Sequence, residues 1–153
     1  MKSVYIIYDR YEHDEWYSVY YLGTNYDKAV KNFKEKALPK FISYGPDDCH
    51  SFQLQHVFMS DYRYRQLRAL VNAKDKEDEL REFMIEIYDE EEYEVETIFF
   101  TDGCSDALEI IQLYCDENNL DYNNTDDKAT AYKALEDTET WNEYLHMYIQ
   151  NEY

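Results

Sequence analysis

The sequence predicts an α+β fold: a ββαβ unit over residues 1–60, then a mostly helical, acidic half over 61–153 with one further strand. Three observations predict it. Aromatic and β-branched residues crowd the N-terminal stretch, apolar residues recur at helical spacing after residue 60, and charge divides between the halves. Residues 1–74 carry 11 Lys and Arg against 9 Asp and Glu, a net +2, whereas residues 75–153 carry 4 against 25, a net −21. Together they make the formal charge of −19. A chain of 153 residues can bury a self-sufficient core, and the expectation is a single domain, 1–153.

The elements follow in order. VYIIYDRY (4–11) and EWYSVYYLG (15–23), separated by the polar EHD, read as a hairpin. Thr24 is positioned to cap a helix whose apolar residues are Tyr26, Val30, Phe33 and Ala37, with Lys28, Lys31, Lys34 and Lys36 on or beside its outer face. Pro39, or at the latest Gly45-Pro46, should end it. SFQLQHVFM (51–59) alternates as a third strand. Ser60 or Asp61 should cap a helix containing Tyr64, Leu67, Leu70 and Val71 that breaks near Asn72. Leu80, Phe83, Met84, Ile87 and Tyr88 then define an amphipathic helix over 76–91, and YEVETIFF (93–100) a strand. A helix with Leu108, Ile111 and Cys115 inward, a polar link, and helices near 126–137 and 139–151 close the chain. In the last, Trp141, Tyr144, Leu145 and Tyr148 share a face.

A hydrophobic content of 44% with only 3 Gly and 2 Pro argues against disorder, while 18 Tyr demand a core with polar edges. No apolar run reaches the length of a membrane span, and MKSVYIIYDRYEHDEW lacks the pattern of a signal peptide. Cys49, Cys104 and Cys115 have unrelated spacings, which suits reduced thiols. The expected location is the cytoplasm. An acidic surface cannot neutralise phosphates, so direct binding of nucleic acid is not expected.

The block DKEDELREFMIEIYDEEEYEVE (75–96) holds 12 acidic and 2 basic residues. On a helical wheel Asp75, Asp78, Glu82, Glu86 and Asp89 oppose the apolar set, and Glu90, Glu91, Glu92, Glu94 and Glu96 continue the charge. Ten net charges over roughly 33 Å, were all of it helical, approach the charge density of one DNA strand. Asp78 with Glu82, and Glu82 with Glu86, are like-charge pairs four apart, each destabilising by about 0.2–0.5 kcal/mol. Asp89 to Glu92 also oppose the negative end of the helix dipole. Solubility alone could have interleaved lysines, so these ten carboxylates are the candidate partner-binding residues. The plain alternative is a solvated surface.

Other motifs are weaker. IFFTDGCSDALEIIQLYCDENNLDYN resembles the opening β-α-β of glutaredoxins, which implies Cys104 at a helix N-terminus and a strand after the helix. Position 107 is Ala where the family has a second Cys, and Asp102 and Asp106 would raise the Cys104 thiol pKa, so no redox role is expected. DENNLDYNNTDD lacks the glycine of a calcium loop, and Tyr132 stands twelfth counted from Asp121. His13, His50, His56 and His146 form no zinc spacing. No phosphate loop or nucleophile–base pattern occurs, so the chain reads as a non-enzyme without cofactor or metal.

Small size, segregated acidity, abundant Tyr and no catalytic motif resemble, in type, the small anti-defence proteins of phages and mobile elements, including anti-CRISPR and anti-restriction DNA mimics. The resemblance implies a basic nucleic-acid-binding partner, a nuclease. An acidic adaptor or regulatory protein that binds a basic protein unrelated to DNA is the alternative.

Overall fold

The computed structural model describes residues 1–11, 16–42, 50–89 and 92–152. Its fold class is α+β, with an antiparallel sheet whose N-terminal strands precede most of the helices. The chain packs as two compact units, one of residues 1–37 and 50–101, the other of 38–49 and 102–153. The acidic block therefore belongs to the same unit as the N-terminal strands, and the boundary falls inside the acidic half.

In the first unit the strands are β1 (Lys2–Tyr11), β2 (Trp16–Gly23), β3 (His50–Met59) and β4 (Glu94–Asp102), in the spatial order β2-β1-β3-β4. β1 pairs antiparallel with both β2 and β3, and the expected hairpin is present. The polar EHD connection lies outside the described residues. The register of the hairpin shifts between Ile7, opposite Tyr21, and Tyr8, opposite Val19, so Tyr20 is the extra residue of a β-bulge. The bulge lets Tyr17 and Val19 share the core face with Leu22, which simple alternation forbids. Tyr20 instead donates to the buried carboxylate of Asp9 (2.8 Å).

Helix α1 (Tyr26–Asn32) continues into a π-helical segment (Phe33–Ala37) and α2 (Leu38–Ile42). Two expectations are corrected here. Asn25, not Thr24, caps α1, its side chain accepting from the Lys28 N–H (2.9 Å). Pro39 does not end the helical run: it sits in the first turn of α2, where a missing N–H is least costly, and the helix runs to Ile42. Gly45-Pro46 lies outside the described residues.

α1 and the π-helical segment cover one sheet face through Tyr26 on Tyr5, and Phe33 stacked on Phe52 and Phe99. The other face carries α3 (Asp61–Asn72) and α4 (Glu77–Tyr88). Ser60 caps α3 by accepting from the Arg63 N–H (3.1 Å). Val4, Ile6 and Tyr8 of β1 and Val57 and Met59 of β3 meet Tyr64 and Leu67 of α3 and Phe83, Met84 and Ile87 of α4 in one core. Each buried aliphatic or aromatic side chain stabilises this packing by about 1.5–3 kcal/mol. Tyr8 satisfies its buried hydroxyl by donating to Gln55 Oε1 (2.7 Å).

In the second unit α5 (Gly103–Glu117), α6 (Thr125–Leu135) and α7 (Thr138–Glu152) form a small bundle. Ile111, Cys115, Ala131 and Leu135 are its buried centre, flanked by Trp141 and Tyr144. α5 ends with Asn119 in the left-handed region (φ 56°) and the Leu120 N–H on the Cys115 carbonyl (2.9 Å). The strand implied by the glutaredoxin resemblance is absent: Leu120–Asn124 are turn and coil, and Asn124 caps α6. α6 spans Thr125–Leu135, close to the helix expected near 126–137, with Asn124 as its N-cap.

Candidate interaction surface

The acidic helix is shorter than expected. α4 spans Glu77–Tyr88, not 76–91, with Lys76 at its N-cap position, so Asp75 precedes it and Asp89 is its C-cap residue. Glu77, Asp78 and Glu79 occupy the first turn, where the exposed N–H groups and the dipole favour negative charge. Part of the helix's acidity is thus stabilising.

The predicted residues separate into three groups. Asp75, Asp78, Glu82 and Asp89 are exposed, as are Glu92 in the following bend and Glu94 and Glu96 on β4. Among the described residues no ion pair engages Asp75, Glu77, Asp78, Glu82, Asp89, Glu92 or Glu94. Glu79 pairs with Lys76 (3.3 Å), and Glu96 Oε2 stands 3.5 Å from Nδ1 of His56, whose ring stacks on Tyr5. Glu86 is different. It is half-buried, and its Oε2 accepts from Arg63 Nη2 (3.1 Å), so it is a structural partner of α3 rather than part of a free stripe. Glu90 and Glu91 lie outside the described residues.

Arg63 organises this edge. Its Nε donates to the Tyr93 hydroxyl (2.8 Å), its Nη1 to Gln66 Oε1 (2.7 Å), and its guanidinium lies 4.4 Å from the centre of the Phe83 ring. Arg63, Gln66, Glu79, Glu82, Phe83 and Glu86 line an open groove of about 370 Å³ between α3 and α4. The row Glu79–Glu82–Glu86 therefore turns toward α3 at its C-terminal end. Opposing charge also occurs elsewhere in this unit: Lys28, Lys31 and Lys36 are exposed on α1 and the π-helical segment. By sequence the first unit holds 12 Lys and Arg against 19 Asp and Glu, a net −7, and the second 3 against 15, a net −12.

The second unit's acidity was not singled out from sequence. Asp116, Glu117, Asp121, Asp126, Glu136 and Glu139 are all exposed there. Other carboxylates of this unit hold structure: Asp127 Oδ2 accepts from the Asp121 N–H (2.9 Å), and Tyr148 contacts the buried Asp106 and Glu109. Of the residues compared with a calcium loop, Asn118, Asp121, Asn124 and Asp127 are thus engaged in the turn and the helix cap. Among the described residues, no group of three or more His, Cys, Asp or Glu side chains could hold a metal ion. Burial, then the carboxylates of Asp116, Asp127 and Asp121, push the Cys115 thiol above its usual pKa, away from nucleophilic use. No helix of the described residues is long and apolar enough to cross a membrane.

The exposed carboxylates therefore fall on two faces: Asp75, Glu77, Asp78, Glu82 and Asp89 on and beside α4, and Glu94 and Glu96 on the far face of β4, because Val95 between them packs into the α3–α4 core while Glu96 stands by His56. Set against protein-family models, curated proteins and solved structures, the chain matches none.

Proposed function

We propose that this protein is a non-catalytic inhibitor that occupies the basic nucleic-acid channel of a DNA-reading defence nuclease, a CRISPR effector or a restriction enzyme, in place of DNA. The observation that carries this reading is the set of exposed carboxylates, Asp75, Glu77, Asp78, Glu82, Asp89, Glu92 and Glu94, that no ion pair among the described residues engages, on and beside a helix packed into the core and on the strand that follows it. Exposed charges with no ion-pair partner among the described residues add to self-repulsion and leave their field for a binding partner. Asp78 and Glu82, one helical turn apart, stand about 6 Å apart along the axis, against about 3.4 Å per phosphate on one DNA strand. A basic channel would collect this surface at a steered rate, and exposed Tyr62 and Phe100 offer short-range anchors. The compartment this reading requires is the cytoplasm in which such a nuclease works.

The test is displacement of a labelled DNA duplex from a basic nuclease by the intact chain. Competition that weakens as salt rises toward about 0.5 M supports the reading. Binding to the nuclease that leaves the duplex in place would instead indicate an acidic adaptor, and no binding at low salt would reject both.

A further inference from the structure

The acidic stretch ends on the edge of a sheet. β4 is the outermost strand on one side of the order β2-β1-β3-β4, and none of its residues 94–100 is buried. In β3 beside it, every described side chain except His56 and Phe58 is buried. Glu94, Glu96, Thr97 and Phe100 are exposed along β4, Phe100 to 57%. An edge strand presents a row of backbone N–H and C=O groups with no ladder partner on its outer side, which another extended segment can pair with.

We propose that β4 receives an extended, basic segment of the partner protein as a fifth strand, a mode of recognition that rests on the reading of the acidic surface given above. Charge selects the occupant. A second copy of β4 laid antiparallel would face Glu94 and Glu96 with glutamates, whereas a strand carrying Lys or Arg at alternate positions places cations beside them. Glu94 and Glu96 are two residues apart, about 6.8 Å along an antiparallel strand, the repeat at which alternate side chains of an incoming strand recur. Phe100, at the far end of the same strand, offers an aromatic surface to an apolar side chain or an arginine. The ladder supplies affinity that does not depend on which basic side chains are present, and the glutamates supply the preference for basic over acidic segments.

The experiment uses the intact chain and two short capped peptides of equal charge, one alternating Lys and Thr, the other the same sequence with every backbone nitrogen methylated. Binding is followed by titration, and the strand by amide hydrogen exchange. The Lys–Thr peptide should bind about tenfold more tightly than its N-methylated counterpart, which has no ladder donors. It should also slow exchange within residues 95–99, and bind more weakly, with its preference over an acidic strand lost, when Glu94→Gln and Glu96→Gln are combined. Equal binding of both peptides, binding of neither, or protection confined to other strands would overturn the inference. So would β4 protection that rises with protein concentration alone, which assigns the edge to a second copy. The two readings fail separately: displacement of DNA without β4 protection removes only the added strand, and β4 protection without displacement removes only the nuclease inhibitor.

Discussion

Arg63 on α3 and Glu86 on α4 are joined by a hydrogen-bonded ion pair of 3.1 Å, and this contact divides the acidic helix into a part that holds the fold and a part that faces solvent. Both side chains are about one-third exposed, 34% each, so solvent weakens the pair without removing it. Arg63 also holds Tyr93 and Gln66 and lies against Phe83, so its removal costs more than the removal of Glu86.

Glu86→Gln is expected to lower folding stability by about 0.5–1 kcal/mol. Arg63→Ala should cost about 2–3 kcal/mol, because three hydrogen bonds and the ring contact are lost together. Urea unfolding of the two variants checks the order. An Arg63→Ala cost no larger than that of Glu86→Gln would show that the hub is not acting as one.

Asp78, Glu82 and Asp89 behave in the opposite way. Changing the three to Asn or Gln should leave stability within about 0.5 kcal/mol of the parent, since relief of the Asp78–Glu82 repulsion and of the unfavourable charge at the helix C-terminus offsets the loss of Asp78 from the favourable first turn. The same variant should lose displacement of DNA from the nuclease. If it displaces DNA as well as the parent does, these carboxylates are solvated surface and the proposed function fails.

Phe83→Ala and Ile87→Ala should each cost about 2–5 kcal/mol by opening a cavity between α4 and the sheet. Both residues are buried in the core that α4 shares with β1 and β3. Thermal unfolding measures the loss, and a change below about 1 kcal/mol would mean that α4 is not anchored by this face.

Association with the basic partner should slow steeply as salt rises while dissociation changes less, because screening acts on long-range steering. Stopped-flow mixing at several salt concentrations reads both rates. An on-rate that stays flat across the series would reject electrostatic recognition.

Alkaline pH should unfold the protein through its tyrosines. Burial first raises Tyr8, Tyr17, Tyr21 and Tyr93 above the usual pKa of 10.0, with Arg63 partly opposing the shift at Tyr93. The folded state keeps protons that the unfolded chain releases near that pH, so this stability is complete below pH 10 and is lost as pH rises toward the folded values. Tyrosinate absorbance and circular dichroism followed together should show these groups ionising late and in step with unfolding. Tyr8→Phe should make the alkaline loss shallower while costing about 1 kcal/mol at neutral pH for the Gln55 hydrogen bond. Ionisation of all tyrosines near pH 10 in a folded chain would contradict the assignment.

Several elements were legible because their signals are local. Ser60 before a helical run, and the spacing of Phe83, Met84 and Ile87, specify a cap and a buried face within one or two turns of chain, and both are found. The hairpin strands were legible from their residues, but the bulge at Tyr20 was not, because it depends on which residues of two strands pair. Pro39 misled for a related reason. A proline stops a helix only where an N–H is required, and the preceding π-helical segment moves it into a first turn.

The acidic surface divides along the same line. Composition and periodicity alone determined that residues 75–96 are densely negative and that one face of the helix is apolar, since both are properties of neighbouring residues. That Glu86 belongs to Arg63, 23 residues earlier in the chain, and that Glu94 and Glu96 sit on an open sheet edge, were decided only in three dimensions. The helical wheel gives a residue's direction from its own axis but not what stands there. An ion pair between separate helices and the place of a strand at the end of a sheet are set by how distant segments pack, and no local spacing encodes them.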